Sequence, residues 1–330
     1  MRLIQLLDDS GRRRVGAIGN DDGAPRLVIG VDSTRELALH AYRAGQSIAA
    51  AIARLGLGEE IDYDTVIERR RLLVPLDHPE PSRCTIAVTG LTHWGSAQSR
   101  DTMHAKLQGS DLSDSMKMFK LGVEGGKPAP GTVGTQSEWV WKGNGGWIVP
   151  PEHPLEYPAY ADDAGDEAEI VGLYVIGDRG EVLRVGFALG NEYSDHVMER
   201  KNYLYLSHSK LRCCSIGPEI LVGELPADVR GCVRVRRDGR THWAKEFVSG
   251  EDNMVHTVAN LEQHHFKYSG FRRPGDVHVY FLGASVLSFA DGVKLEPGDV
   301  MEVSSPHFGR PLRNPIERSE PTGWIEVRTL

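Results

Sequence analysis

Two glutamates open an apolar run at residues 166–177, DEAEIVGLYVIG. Side chains two apart on a strand leave the same face, so Glu167 and Glu169 stand side by side where the chain enters a core. Like charges that close repel, and burial raises their pKa values unless a cation compensates. The turn sequence Gly177-Asp178-Arg179-Gly180 brings a third acid to them. With Ile176 paired to Glu181 across a four-residue loop, Glu169 faces Ala188, Glu167 faces Gly190, and Glu192 falls one pair beyond on the same face. The residues facing them, Gly186, Ala188 and Gly190, are small and leave space, while Ile170, Tyr174, Ile176, Val185, Phe187 and Leu189 make a core surface behind. Three carboxylates suit a hard divalent cation, Mg²⁺, Mn²⁺ or Ca²⁺, with positions left for water and substrate. On spacing alone the alternative stays open, in which Glu167 and Glu169 are exposed edge charges and Glu192 a surface acid.

A chain of 330 residues, 40% hydrophobic and 25% charged, has ample core to position such a site. Residues 1–75 read as a small α/β unit. MRLIQLL, RRVGAI and RLVIG are strand-like, and TRELALHAYRAGQSIAAAIARLGLG has helical periodicity, with Thr34 as N-cap and Gly58 near its stop. PLDHPEPSR then reads as a linker, and strands and turns dominate 76–330. The Gly- and Pro-rich tract 122–155 carries Trp139, Trp141 and Trp147, which call for burial, and reads as an ordered loop framing a pocket. Pro-Gly-Asp-Val occurs at 274–277 and 297–300, each time opening a strand of one β-rich domain.

The net charge of −8 and the short, acid-flanked basic runs Arg12–Arg14 and Arg69–Arg71 argue against a nucleic-acid partner. Cys84, Cys213, Cys214 and Cys232 match neither a zinc site nor a disulfide framework, so they read as reduced thiols of a cytoplasmic protein. No apolar run approaches membrane-spanning length, and MRLIQLLDDS lacks the apolar stretch of a signal peptide. His264-His265 invites a metal reading, but adjacent residues on a strand diverge, which favours packing.

Glu167-Ala-Glu169, then Gly186-Phe187 running to Asn191-Glu192-Tyr193-Ser194, then Lys210 and Ser215-Ile216-Gly217-Pro218, resembles the signature of the fumarylacetoacetate hydrolase superfamily. The resemblance implies an α+β chain: a small N-terminal α/β domain (1–75) followed by a mixed β-roll catalytic domain (76–330), in a homodimer or homotetramer. It implies one Mg²⁺ held by Glu167, Glu169 and Glu192. The third ligand of the family is usually aspartate, so Glu192 brings one extra methylene. Hydrolase members carry a histidine and a glutamate that activate water, where this chain has Ser96 and Ser99 in THWGSAQS, with His93 at a neighbouring place. That departure argues against C–C hydrolysis.

The remaining parts resemble the branch that dehydrates 2-keto-3-deoxy-pentonates. Glu138-Trp-Val-Trp-Lys142 is similar to its glutamate followed four residues later by a lysine, and NYLYLSHSKLRCCSIGP to its segment bearing the catalytic lysine, which falls on Lys210. His208 is the competing alignment for that lysine when counted back from Gly217-Pro218 as in the hydrolases. The implied reaction converts a 2-keto-3-deoxy-pentonate to 2-oxoglutarate semialdehyde in non-phosphorylative pentose oxidation. Lys210 is the base and Glu138 the acid, or the reverse. Ser96, Lys142 and Ser285 are implied substrate contacts, with Lys142 alternatively a structural partner of Glu138. The competing reading is a hydrolase or decarboxylase of a 2,4-diketo acid or acylpyruvate through the same enolate. Cys213 and Cys214 have no basic partner in sequence and read as packed small residues.

Overall fold

The computed structural model describes residues 1–95 and 112–330. Among these residues the chain forms a twelve-stranded and a five-stranded sheet with few helices. The main path of the large sheet runs from Leu57–Glu60 through Arg26–Val28, Arg13–Ile18, Arg2–Leu7 and Ile220–Val222 into Val182–Asn191. It continues through Ala168–Ile176, Val277–Phe281 and Cys84–Val88 to Val140–Asn144. The N-terminal strands therefore extend the same sheet, with Arg2 opposite Leu221. The small sheet orders Arg240–Ser249, Val229–Arg237, Val300–Ser304, Leu312–Arg318 and Leu155–Tyr157. The α+β class expected from the sequence is the class observed.

At the centre lies the hairpin of Ala168–Ile176 and Val182–Asn191, and all nine residues of its first strand are buried. Val171, Leu173 and Val175 pack toward Leu37, Ala41 and Ile52 of the N-terminal helices. Ile170, Tyr174, Phe187 and Leu189 pack toward Val233, Phe247 and Val303 of the small sheet. A fully buried Val, Leu or Ile contributes about 1.5–3 kcal/mol, so this doubly covered hairpin is a stiff base for the acids at its end.

The register differs from the expected one. Ile176 pairs with Val182 across a five-residue loop, and a bulge between Arg184 and Gly186 shifts the pairing again, so Glu169 faces Gly190. The two one-residue shifts cancel in parity, which keeps the glutamates on the intended face. Val185 is moved by the bulge to the helix-side core. The expected single helix is two, Thr34–Arg43 and Ile48–Leu55, because Ser47 opens a second N-cap after the Gly45 turn. Ser33 and not Thr34 caps the first, and Gly58 lies in the strand Leu57–Glu60. His264 and His265 sit on the helix Val258–Phe266. The two Pro-Gly-Asp-Val phrases do open strands, but in different sheets. Trp139 packs against the inter-sheet core, whereas Trp141 and Trp147 stay substantially exposed.

Candidate active site

Glu169 lies in the first strand of the hairpin, Glu167 just before it, and Glu192 just past its partner strand. The Glu192 N–H donates to the Glu167 carbonyl at 2.9 Å, which locks the two strand ends together. One carboxylate oxygen from each of the three lies within 4.8 Å of the others, and all three side chains are buried. Glu169 Oε2 accepts the Gly283 N–H at 2.7 Å. Glu192 Oε2 accepts from Ser194 Oγ and from Lys210 Nζ, each at 2.7 Å, and its Oε1 lies 2.5 Å from Lys142 Nζ. Glu167 Oε1 pairs with His196 Nε2 at 3.0 Å and also takes the Lys210 ammonium.

Burial and the Glu167 and Glu192 charges push the Glu169 carboxyl well above its ordinary range. Burial opposes ionisation of Glu167 as well, but Lys210 and His196 outweigh it and hold that carboxyl well below the usual range. Burial disfavours the Lys210 ammonium, yet Glu167, Glu192 and Glu199 hold its proton firmly. His196 follows the same logic: its hydrogen bonds to Asp163 and Glu167 overcome burial and raise it to about 10. Three buried carboxylates thus face the Lys142 and Lys210 ammonium groups, and one acid stays proton-hungry. That donor set fits a hard divalent cation: all-oxygen, closely grouped, and already drawing one lysine ammonium between two of its members.

Lys210 ends the short helix Leu206–Lys210, which turns it inward, while His208, two residues before it, is exposed. Lys210 is therefore the lysine at the acids. Glu138, Glu167, Glu169, Glu192, Lys210 and Ser285 line one cavity of about 380 Å³. The Glu138 carboxyl is raised mainly by burial, and it takes a hydrogen bond from the Tyr203 hydroxyl. A Cβ on Gly90 would lie 1.9 Å from Glu138 Oε2, so Gly90 makes room for that carboxylate. Ser285 reaches the cavity, where its Oγ accepts the Val248 N–H at 3.3 Å.

Two expected substrate contacts fare differently. Lys142 is fully buried, and its ammonium donates to the Tyr193 and Lys210 carbonyls, both at 2.9 Å, besides pairing with Glu192. It does not line the cavity and partners Glu192, not Glu138. Ser96 and Ser99 lie outside the described residues. His93 is buried, bonded to Thr92 and Ser249, and depressed by burial to about 3; it is not at the cavity.

Sequence reasoning missed His196, Glu199 and Tyr203. His196 opens the helix His196–Lys201 behind its N-cap Asp195, which places Glu199 one turn on, and both face the cavity. The Asp195-x-x-x-Glu199 pattern three residues after Glu192 was a legible helix start.

No family model matches the chain. A probable 2-keto-3-deoxyxylonate dehydratase of Haloferax volcanii is 38% identical over 142 residues, 42% of this chain, and the match spans 46% of that relative's length. Among solved structures, 2-keto-3-deoxy-D-arabinonate dehydratase superposes with a TM-score of 0.70 at 16% identity, over 97% of this chain and 100% of that one. A form of that enzyme complexed with magnesium and 2,5-dioxopentanoate matches to the same extent. The 5-carboxymethyl-2-hydroxymuconate delta-isomerase of Mycobacterium smegmatis matches with a TM-score of 0.58 at 17% identity, over 97% and 100% of the two chains. The fold is shared with these enzymes, and the resemblance read in the sequence is borne out. No helix among the described residues is long and apolar enough to cross a membrane.

Proposed function

We propose that this chain is a Mg²⁺-dependent dehydratase of 2-keto-3-deoxy sugar acids, converting a 2-keto-3-deoxy-pentonate to 2,5-dioxopentanoate, which is 2-oxoglutarate semialdehyde. The observation that carries the reading is the convergence of Glu167, Glu169, Glu192, Lys210 and Glu138 on one cavity. The two named dehydratases it is similar to support it.

Glu167, Glu169 and Glu192 would hold the cation, which when bound supplies polarisation of the C2 carbonyl and so acidifies C3. Lys210 is the group nearest those carboxylates with a proton to exchange. While it faces them it stays an ammonium; with their charges engaged elsewhere, burial, the largest influence, opposes only Glu199 at 3.9 Å and favours the neutral amine, a base for the C3 proton. Glu138, whose hold on a proton burial strengthens, gives a proton to the C4 hydroxyl as the C4–O bond breaks. Loss of the C3 hydrogen and the C4 hydroxyl as water leaves a C3=C4 double bond conjugated to the ketone. Moving a proton from C5 to C3 gives the C4=C5 enol, whose tautomer is the aldehyde. Tyr203 anchors Glu138 at the mouth and tunes its orientation.

The hydrolytic alternative needs a histidine with a free nitrogen to activate water. Among the described residues the histidine lining the cavity is His196, with Nε2 3.0 Å from Glu167 and Nδ1 3.5 Å from Asp163. Against burial, those two acids raise it to about 10, so it is held protonated and has no lone pair to take a proton from water. We assign the chain to a soluble, cytoplasmic homo-oligomer with a small N-terminal domain (1–75), in line with the resemblance.

The test is turnover of both C4 epimers of 2-keto-3-deoxy-pentonate with Mg²⁺, followed through a semialdehyde dehydrogenase. Semialdehyde formation that stops with chelator is expected. Inertness toward both epimers, with cleavage of an acylpyruvate, would overturn the assignment.

A further inference from the structure

Each carboxylate of the triad spends one oxygen on a fixed protein donor. For Glu169 the donor is the backbone N–H of Gly283 at 2.7 Å. For Glu192 the partner is the Lys142 ammonium, which forms an ion pair with Oε1 at 2.5 Å, while Ser194 Oγ donates to the other oxygen at 2.7 Å. For Glu167 it is His196, whose Nε2 lies 3.0 Å from Oε1. Lys142 cannot leave: an ammonium has three protons, and the carbonyls of Tyr193 and Lys210 take up the rest of its capacity at 2.9 Å each, with no part of the side chain exposed. His196 is equally confined. Its Nδ1 lies 3.5 Å from Asp163 Oδ2, its ring packs on Phe289 with centroids 5.1 Å apart, and a Cβ on Gly165 would come within 2.1 Å of Nδ1. Lys210 differs, since its side-chain contacts are with acids of the cavity and not with backbone.

We propose that Lys142 and His196 are positioning residues that restrict Glu192 and Glu167 to one ligand oxygen each, so that the triad holds a divalent cation through three oxygens in all. The proposal rests on the metal-binding part of the function proposed above and not on the dehydration. It accounts for the longer third ligand. A glutamate at 192 has the reach to close on a cation with both oxygens, and Lys142 occupies the second one. Half of an octahedral shell is thereby kept for water and for the two oxygens of a 2-keto acid. Lys142, expected from the sequence to touch substrate, acts instead through Glu192.

The experiment counts water on Mn²⁺ bound to the full chain, by water-proton relaxation without substrate. Wild type should retain about three exchangeable waters, the remainder of six after three protein oxygens. Lys142→Met should lose about one as Glu192 closes with both oxygens. Because that variant leaves the buried Tyr193 carbonyl unpaired and can fail to fold, His196→Phe is the independent arm. It keeps the ring on Phe289, removes both nitrogens, and should also lose about one water through Glu167. His196→Gln, which restores one donor, should regain it. Three waters retained in every folded variant, or fewer than three in wild type, overturns the proposal. Wild type that binds no Mn²⁺ overturns it together with the metal site. Wild type that holds Mn²⁺ with three waters yet dehydrates no sugar acid defeats the dehydratase reading and leaves this one standing.

Discussion

Around Glu167, Glu169 and Glu192 the molecule buries charge and answers it with charge; around His265 and His278, on the same large sheet and the helix covering it, it buries titratable groups and keeps them neutral. In the second cluster the Trp139 indole N–H donates to His265 Nδ1 at 3.1 Å, and His265 Nε2 lies 3.0 Å from His278 Nδ1. An indole N–H can only donate, so His265 carries its proton on Nε2 and passes that bond to His278, whose own proton is on Nε2. His265 stacks on Tyr280 with centroids 4.5 Å apart. Burial, largest in each case, depresses His265 to about 2 and His278 to about 4. The chain of donors ends on the buried, unpartnered His278 Nε2, and no net charge results. The triad instead groups three buried carboxylates with the Lys142, Lys210 and His196 cations, an arrangement that could hold a metal ion.

The sharpest way to break the contrast is to remove charge from one cluster and a donor from the other. Glu169→Gln should abolish turnover and weaken Mn²⁺ binding by more than the roughly 10–100-fold typical of outer-shell changes. His265→Phe should leave Mn²⁺ affinity within about threefold, losing instead about 1–3 kcal/mol of stability from the unpaired indole N–H. Titration calorimetry and urea unfolding read both. Similar metal losses in the two variants would erase the distinction. Next in size is Lys210→Met. Removing one partner of a buried pair costs about 3–5 kcal/mol, so the metal-free variant should be destabilised by that order. Mg²⁺ should recover part of the loss by neutralising the same carboxylates, and denaturation with and without Mg²⁺ checks it. Smaller again is Gly90→Ala, whose Cβ displaces Glu138 and not the triad. Turnover should fall about 10–100-fold with Mn²⁺ affinity unchanged. A matching loss of metal binding would show that Glu138 belongs to the charge cluster after all.

The two clusters were also unequally legible in the sequence. Glu167 and Glu169 stand out because a strand's period of two makes adjacent charges conspicuous, and Glu192 follows from any register of the right parity. The register itself was misread by one residue at the loop, and the bulge at Arg184 to Gly186 is set by packing that no local pattern displays. Lys142 was found, but its role was not: only the tertiary fold reveals that the strand Val140–Asn144 aims it at Glu192 and not at the cavity. His196 was passed over, since its partners Asp163 and Glu167 are distant in sequence. His265 was noticed for its neighbour His264, yet the residue it needs is His278, thirteen positions away on another element. Elements whose pattern is local, such as the strands Arg2–Leu7 and Arg13–Ile18, were read correctly, and their order across one twelve-stranded sheet was not.

The smallest effect is a pH slope, and it separates the clusters by its window. A histidine depressed on folding contributes stability that is complete above its unfolded value near 6.5. That stability is lost as pH falls, because the unfolded chain takes up protons that the folded chain refuses until about 4 for His278 and about 2 for His265. Integrated from pH 6.5 to 5.5, each such group costs about 1 kcal/mol. Glu167, depressed below 4.5, loses its contribution only at lower pH. Glu169, raised above 4.5, acts in the opposite sense and gains stability as pH falls through its folded value. Comparing wild type with His278→Phe in the same metal-free buffer cancels the glutamate contributions, since the substitution leaves them in place. The stability difference between the two proteins should therefore shrink by about 1 kcal/mol between pH 6.5 and 5.5, as followed by urea unfolding at each pH. A difference that stays constant would mean that His278 carries charge in the fold, and the neutral cluster would then be no different in kind from the one that holds Glu169.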